Sequence, residues 1–116
     1  VVLYVQNPEA CLDFWTQKVG MVEKSRKQAG DFAIVQVGFA DQNFALELVP
    51  LALMQDNPNN LDLATPSLAF HVDNLVATRD KLVVAGIQAT EPANHGGVEA
   101  FAFSDNENRW FAVLEG

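Results

Sequence analysis

Short runs of alternating apolar and polar residues occur in two similar sets along the chain, so an internal repeat is the first thing the pattern predicts. The segments LYVQNPEACLDFWTQKVGM, from Leu3, and FHVDNLVATRDKLVVAGIQ, from Phe70, each read as a strand, an asparagine, a helix of about ten residues and a glycine. Asn7 suits a helix N-cap because its side chain can accept from the N–H groups of the first turn. Pro8 then takes the first helical position, where its missing N–H costs nothing. Asn74 suits the same role in the second copy, with Asp73 as a competitor, and Gly20 and Gly86 stand where left-handed helix ends are wanted. Three strand-like runs follow each helix: residues 21–27, 32–38 and 44–49, then residues 87–90, 98–104 and 110–114. ADQN and SDNENR, rich in Asp and Asn, supply matching hairpin turns. The pattern predicts an α+β fold of two βαβββ modules, residues 1–49 and 66–116, within one domain. The link, residues 50–65, carries Leu51, Leu53, Met54, Leu61 and Leu63, which is too apolar for a plain linker and suits a lid.

Alternation along a strand also assigns faces. In the strand of PSLAFHVDN, Leu68, Phe70 and Val72 share one face, and Ser67, Ala69 and His71 the other. The first strand divides into Val1, Leu3 and Val5 against Val2 and Tyr4; the fourth into Phe44, Leu46 and Leu48 against Ala45, Glu47 and Val49. The last divides into Phe111 and Val113 against Trp110, Ala112 and Leu114. One face is uniformly apolar and belongs under the helices. The other mixes small, aromatic and polar groups. It is not ordinary core, because Glu47 there would be a bare buried carboxylate, costing several kcal/mol unless paired. Nor is it a plain solvated face, given Val49, Trp110 and Leu114. A concave, ligand-holding cavity with Tyr4, Glu47, Ser67, His71 and Trp110 as contacts fits both constraints.

Charge narrows the choice of partner. With 15 acidic and 7 basic residues the net charge is −8, which opposes the phosphate contacts that nucleic-acid binding needs. The acidity keeps the chain soluble or favours a cationic ligand. No run approaches the ~18 apolar residues of a membrane span. Cys11 is the one cysteine and excludes an internal disulfide, which suits a reducing cytoplasm; its helical spacing with Phe14 and Trp15 assigns it to the core. His95, in EPANHGGVEAF, is expected in a solvated loop, and Glu99 after it reads as surface. Glu47 has two readings, a ligand contact or a structural ion pair with Arg26, Arg79 or Lys24.

The duplicated unit, with YVQNPEACLDFWTQKVGM, FALELVP, PSLAFHVDN and FSDNENRWFAVLEG in order, resembles the vicinal oxygen chelate superfamily of glyoxalase I, extradiol dioxygenases and bleomycin-resistance proteins. The resemblance implies two modules forming an open half-barrel. It departs at the last turn, where DNENR (Asp105 to Arg109) stands for the family's DPDGN. The family's enzymes hold a divalent metal with His or Glu from the first and fourth strands of each module. Carried over, those positions fall on Glu47, Ala112 and Ser67, and one falls before Val1. Ala112 has no donor atom and a serine hydroxyl is a poor ligand for such a metal, leaving Glu47 as a weak candidate. His71 does not replace the missing histidine: four residues along a strand is about 13 Å, whereas ligands converge at about 2 Å. It is left as a hydrogen-bonded rim or core histidine, or a ligand contact.

The resemblance therefore implies a metal-independent, cofactor-free binding protein akin to the bleomycin-resistance members, with a cationic or aromatic ligand, a role in antibiotic resistance and a homodimer. The alternatives are a metal-dependent lyase, isomerase or dioxygenase, with Glu47 as ligand or base, and a structural or regulatory module with a vestigial cavity.

Overall fold

The computed structural model describes residues 1–54, 63–64 and 66–116, so much of the expected lid lies outside the described residues. The chain divides into two compact units, Val1–Pro66 and Ser67–Gly116. The first contains β1 (Val2–Val5), α1 (Pro8–Asp13) continued by a π-helix (Phe14–Val19), β2 (Val22–Ala29), β3 (Phe32–Gly38) and β4 (Leu46–Pro50). The second contains β5 (Ala69–Val72), α2 (Leu75–Val84), β6 (Ala93–His95), β7 (Val98–Ser104) and β8 (Trp110–Glu115). The sheets run β1-β4-β3-β2 and β5-β8-β7-β6, and in each the first strand pairs in parallel with the last while the other pairings are antiparallel. The α+β class and the twofold βαβββ plan are thus those the pattern predicts.

Both helices start as their sequences dictate. The side chains of Asn7 and Asn74 accept from the backbone N–H groups of Ala10 and Ala77, each at 3.1 Å. The two modules then treat the next donor differently. Pro8 has no N–H to satisfy, whereas Leu75 at the same position donates to the Glu115 carboxylate at 3.0 Å, reaching across from the end of β8. The single helix expected after Asn7 is instead a six-residue α-helix followed by a six-residue π-helix. Within it the adjacent Phe14 and Trp15 both enter the core, edge to face at 5.2 Å, before Gly20 ends it in the left-handed region at φ 98°.

Beneath α1 the first sheet buries Leu3, Val5, Val35, Val37, Leu46 and Leu48 against Cys11, Leu12, Phe14, Trp15 and Met21. In the second unit Phe70, Phe103 and Phe111 form a cluster with ring centroids 5.9–6.4 Å apart, packed with Phe101, Val113, Leu75, Leu82 and Ile87. These are the apolar faces assigned by parity.

Three elements differ from expectation. The strand expected over residues 44–49 begins at Leu46, since the Phe44 carbonyl turns against Gly38, where an added Cβ would sit 2.3 Å from that oxygen. The strand expected over residues 87–90 makes only one bridge, Ala89 to Phe103, and Pro92, which has no N–H, interrupts the ladder. Pairing resumes as β6, so His95 lies in a strand rather than a loop. The physical reason is the Gly96–Gly97 pair, with φ 62° and 89°, which suits a two-residue hairpin turn of the type that needs two left-handed residues.

The DNENR turn keeps its geometry by other means. Asn108 takes φ 64° where the family's turn has glycine, and Asn tolerates that region better than most residues. The buried Asp105 carboxylate accepts from the backbone N–H groups of Glu107 (2.9 Å) and Arg109 (2.8 Å) and pairs with the Arg109 guanidinium at 3.3 Å.

Candidate functional site

In the first unit, register builds the mixed face strand by strand, because residues directly opposite one another share a side. Glu47 on β4 lies opposite Val2 on β1 and Gln36 on β3, and Tyr4 lies opposite Val49. Gln36 in turn lies opposite Ser25 on β2, and Ile34 opposite Lys27. One side of this sheet therefore carries Val2, Tyr4, Ser25, Lys27, Ile34, Gln36, Glu47 and Val49. Tyr4, Ile34, Gln36, Glu47 and Val49 are half-buried there, while Leu46 and Leu48, alternating with Glu47, are fully buried on the other side.

The three bases considered as partners for Glu47 are committed elsewhere. Arg26 pairs with Glu9 and Glu23, lying on the α1 side opposite Val35. Arg79 donates to the Thr90 carbonyl and pairs with Glu91. The Lys24 ammonium meets the Gln42 carbonyl. Among the described residues Glu47 has no ion pair and its carboxylate accepts no hydrogen bond, although its backbone N–H donates to Val1 O at 2.8 Å. A half-buried carboxylate without a partner is a group whose solvation has been reduced without compensation.

Electrostatics around Arg26 are structural. Its hydrogen bonds to Glu23 and Glu9 raise its pKa further above the usual arginine value, and the Arg26 hydrogen bond to Glu23 holds that carboxyl below the usual carboxylate range.

In the second unit the mixed face carries Ala69, His71, Ala100, Ala102, Trp110, Ala112 and Leu114, since Ala69 lies opposite Ala112, His71 opposite Leu114, and Ala102 opposite Ala112. Trp110 is 47% exposed and His71 is exposed. Its exposure suits the rim position or the ligand contact considered from sequence rather than a core histidine. Ser67 precedes β5 and is exposed, two residues before Ala69. Of the residues singled out from sequence, Tyr4 and Glu47 thus share one sheet face, and His71 and Trp110 share another; the two faces belong to separate units. Glu99 is exposed but has the parity of Phe101 and Phe103, and its carboxylate accepts from Asn94 Nδ2 at 3.3 Å.

The sequence reading missed Ser25, Lys27, Ile34 and Gln36. The signal was present: the two-residue turn between Ala29 and Phe32, with Gly30 at φ 64°, counts back to place Gln36 opposite Ser25.

The family's metal positions can now be tested on register. Val5 pairs with Pro50 and Val72 with Glu115, so Glu47 in the first unit corresponds to Ala112 in the second. Ala112 offers no donor, and Ser67 only a hydroxyl. Among the described residues no three His, Cys, Asp or Glu side chains gather where they could hold an ion. Of the three positions within the chain, only Glu47 carries a side chain that divalent metals ordinarily take as a ligand.

Two parallel-edged sheets, each roofed by one helix and each presenting a mixed face, define a duplicated βαβββ protein of the vicinal oxygen chelate type. The chain belongs to the Glyoxalase/Bleomycin resistance protein/Dioxygenase superfamily, whose family model matches residues 1–113. No curated protein matches it in sequence. Solved structures share the fold. A superfamily member from Sphaerobacter thermophilus DSM 20745 superposes with a TM-score of 0.85 at 19% identity, covering 100% of this chain and 94% of its own. TnmS3, an antibiotic binding protein from Streptomyces sp. CB03234, gives 0.82 at 19% identity, covering 99% and 91%. UcmS2 gives 0.81 at 20% identity, covering 98% and 93%. Among the described residues no helix is long and apolar enough to cross a membrane.

Proposed function

We propose that this chain is a metal-independent small-molecule-binding protein of the drug-sequestering kind, taking its ligand on the mixed sheet faces. The observation that carries this reading is Glu47: a half-buried carboxylate without an ion-pair partner among the described residues, while Arg26, Arg79 and Lys24 are all engaged elsewhere. A cationic ligand would supply the missing counter-charge. The half-buried Tyr4, on the same sheet face as Glu47, offers aromatic surface on which a flat ring can stack, and the exposed Trp110 offers the same on the face of the second unit. Superfamily membership and a fold shared with an antibiotic binding protein support a binding role, and antibiotic resistance is its natural setting. Metal independence rests on the donor set, in which the counterpart of Glu47 is Ala112. A homodimer and a cytoplasmic location, where the buried Cys11 thiol stays reduced, complete the proposal.

The test is isothermal titration against cationic glycopeptides and planar aromatic cations, with wild type and Glu47→Gln compared. Saturable binding by wild type, weakened roughly tenfold or more in the variant, is the expected result. No binding across the panel counts against the reading. Stoichiometric Ni, Zn, Mn or Fe in the purified protein would return the metal-dependent lyase, isomerase or dioxygenase to first place.

A further inference from the structure

We infer that the ligand presents an amide-type edge, a hydrogen-bond donor beside an acceptor, which Glu47 and Gln36 read together; the inference rests on the binding role proposed above. Ser25, Gln36 and Glu47 form one row across β2, β3 and β4, each directly opposite the next. Side chains so placed have Cβ atoms about 5 Å apart, close enough to grip one small planar group. Within the row the hydrogen bonding is asymmetric. Ser25 Oγ donates to Gln36 Oε1 at 3.0 Å, which engages the amide oxygen and leaves the NH2 end as the donor toward Glu47's side of the row. The two Nε2 donors of Gln36 have no partner among the described residues, and the neighbouring carboxylate of Glu47 accepts from none.

The row thus offers an acceptor with full charge beside an oriented donor. An N–H of the ligand satisfies Glu47 with a charge-assisted bond, and a carbonyl one atom further along the same edge satisfies Gln36. Primary amides, lactams, imides and ureides carry this edge. A simple cation answers Glu47 only and leaves the half-buried Gln36 donors unmet, a loss worth about tenfold in affinity. Half-buried Ile34 and Val49 flank the row on the same side and give the apolar body of the ligand a place to lie.

Three flat probes separate the possibilities by fluorescence titration: lumichrome, which carries an imide-type edge; its 1,3-dimethyl derivative, whose ring N–H groups are blocked; and proflavine, a cation without a carbonyl. Lumichrome is expected to bind at least tenfold more tightly than the dimethyl derivative and to shift the side-chain NH2 resonances of Gln36. Gln36→Leu, which removes the donor for the carbonyl but leaves Glu47 to read the N–H, should weaken lumichrome binding about tenfold and tighten proflavine binding, since the unmet amide donors are gone. Ser25→Ala, at an exposed position that does not endanger folding, should weaken lumichrome binding several-fold by letting the amide turn. Equal binding of the two lumichromes, or lumichrome binding unchanged by Gln36→Leu, overturns the inference while proflavine binding leaves the binding role standing. If none of the three probes binds, the binding role falls and the inference with it.

Discussion

Replacing Asp105 by Ala tests the account of the β7–β8 turn. The carboxylate side chain is 0% exposed and serves three donors: the backbone N–H groups of Glu107 and Arg109 and the Arg109 guanidinium, whose own side chain is 12% exposed. Arg109 keeps a second partner in Glu107 at 3.1 Å, so the variant does not strand the full cation. Two part-buried backbone donors left unmet cost about 1 kcal/mol each, and the weakened guanidinium adds about 1 kcal/mol, giving roughly 3 kcal/mol in all. With an unfolding entropy near 2.1 cal/mol/K per residue over 116 residues, that corresponds to a fall in Tm of about 12 °C. Asp105→Asn, which keeps one acceptor oxygen, should cost about half as much. Urea unfolding followed by circular dichroism measures both, with m unchanged if the native turn alone is affected. A loss below 1 kcal/mol for Asp105→Ala would show that water or the relaxed loop takes over these donors, and the reasoning would fail.

Other predictions follow from the same geometry. Glu115→Ala removes the acceptor for Leu75 N–H at the start of α2 and should cost about 1 kcal/mol by chemical denaturation, with faster hydrogen exchange confined to that first turn. Gly38→Ala forces a Cβ against the Phe44 carbonyl and should destabilise by more than about 2 kcal/mol, although Gly38 does not need a left-handed backbone. The Glu23 carboxyl, held low by Arg26, contributes stability that is present above its unfolded pKa and is lost as pH falls through its lowered folded value; Arg26→Ala should move its NMR titration midpoint upward.

Local rules legible in the chain are those the structure obeys most closely. Asn7, Asn74, Gly20 and Gly86 act at helix ends because capping depends only on neighbouring residues, and parity sorted Leu46 and Leu48 from Glu47 because a strand has two sides. The π-helix was not legible: Phe14 and Trp15 are adjacent, as are the buried Cys11 and Leu12 of α1, so nothing in the apolar spacing marks where the wider winding begins. β6 was hidden because Pro92 breaks the run and the Gly96–Gly97 pair reads equally as loop or tight turn. Gln36 escaped notice for a different reason. Its pairing with Ser25 follows from a two-residue turn, but its pairing with Glu47 depends on the longer connection from Phe39 to Ala45, whose length sets no register. The DNENR turn looked like a departure from its family, yet Asn108 supplies the left-handed residue and Asp105 the acceptor that such a turn requires.

The claim on which most depends is that Glu47 is held for a ligand and not for the fold. Unfolding Glu47→Gln in urea, with nothing bound, asks this without knowing any ligand. An unpaired half-buried carboxylate should cost the native state, so the amide variant is predicted to match or exceed the wild-type midpoint. A loss of about 3 kcal/mol or more would mean that the carboxylate is one half of a structural pair, contradicting the account.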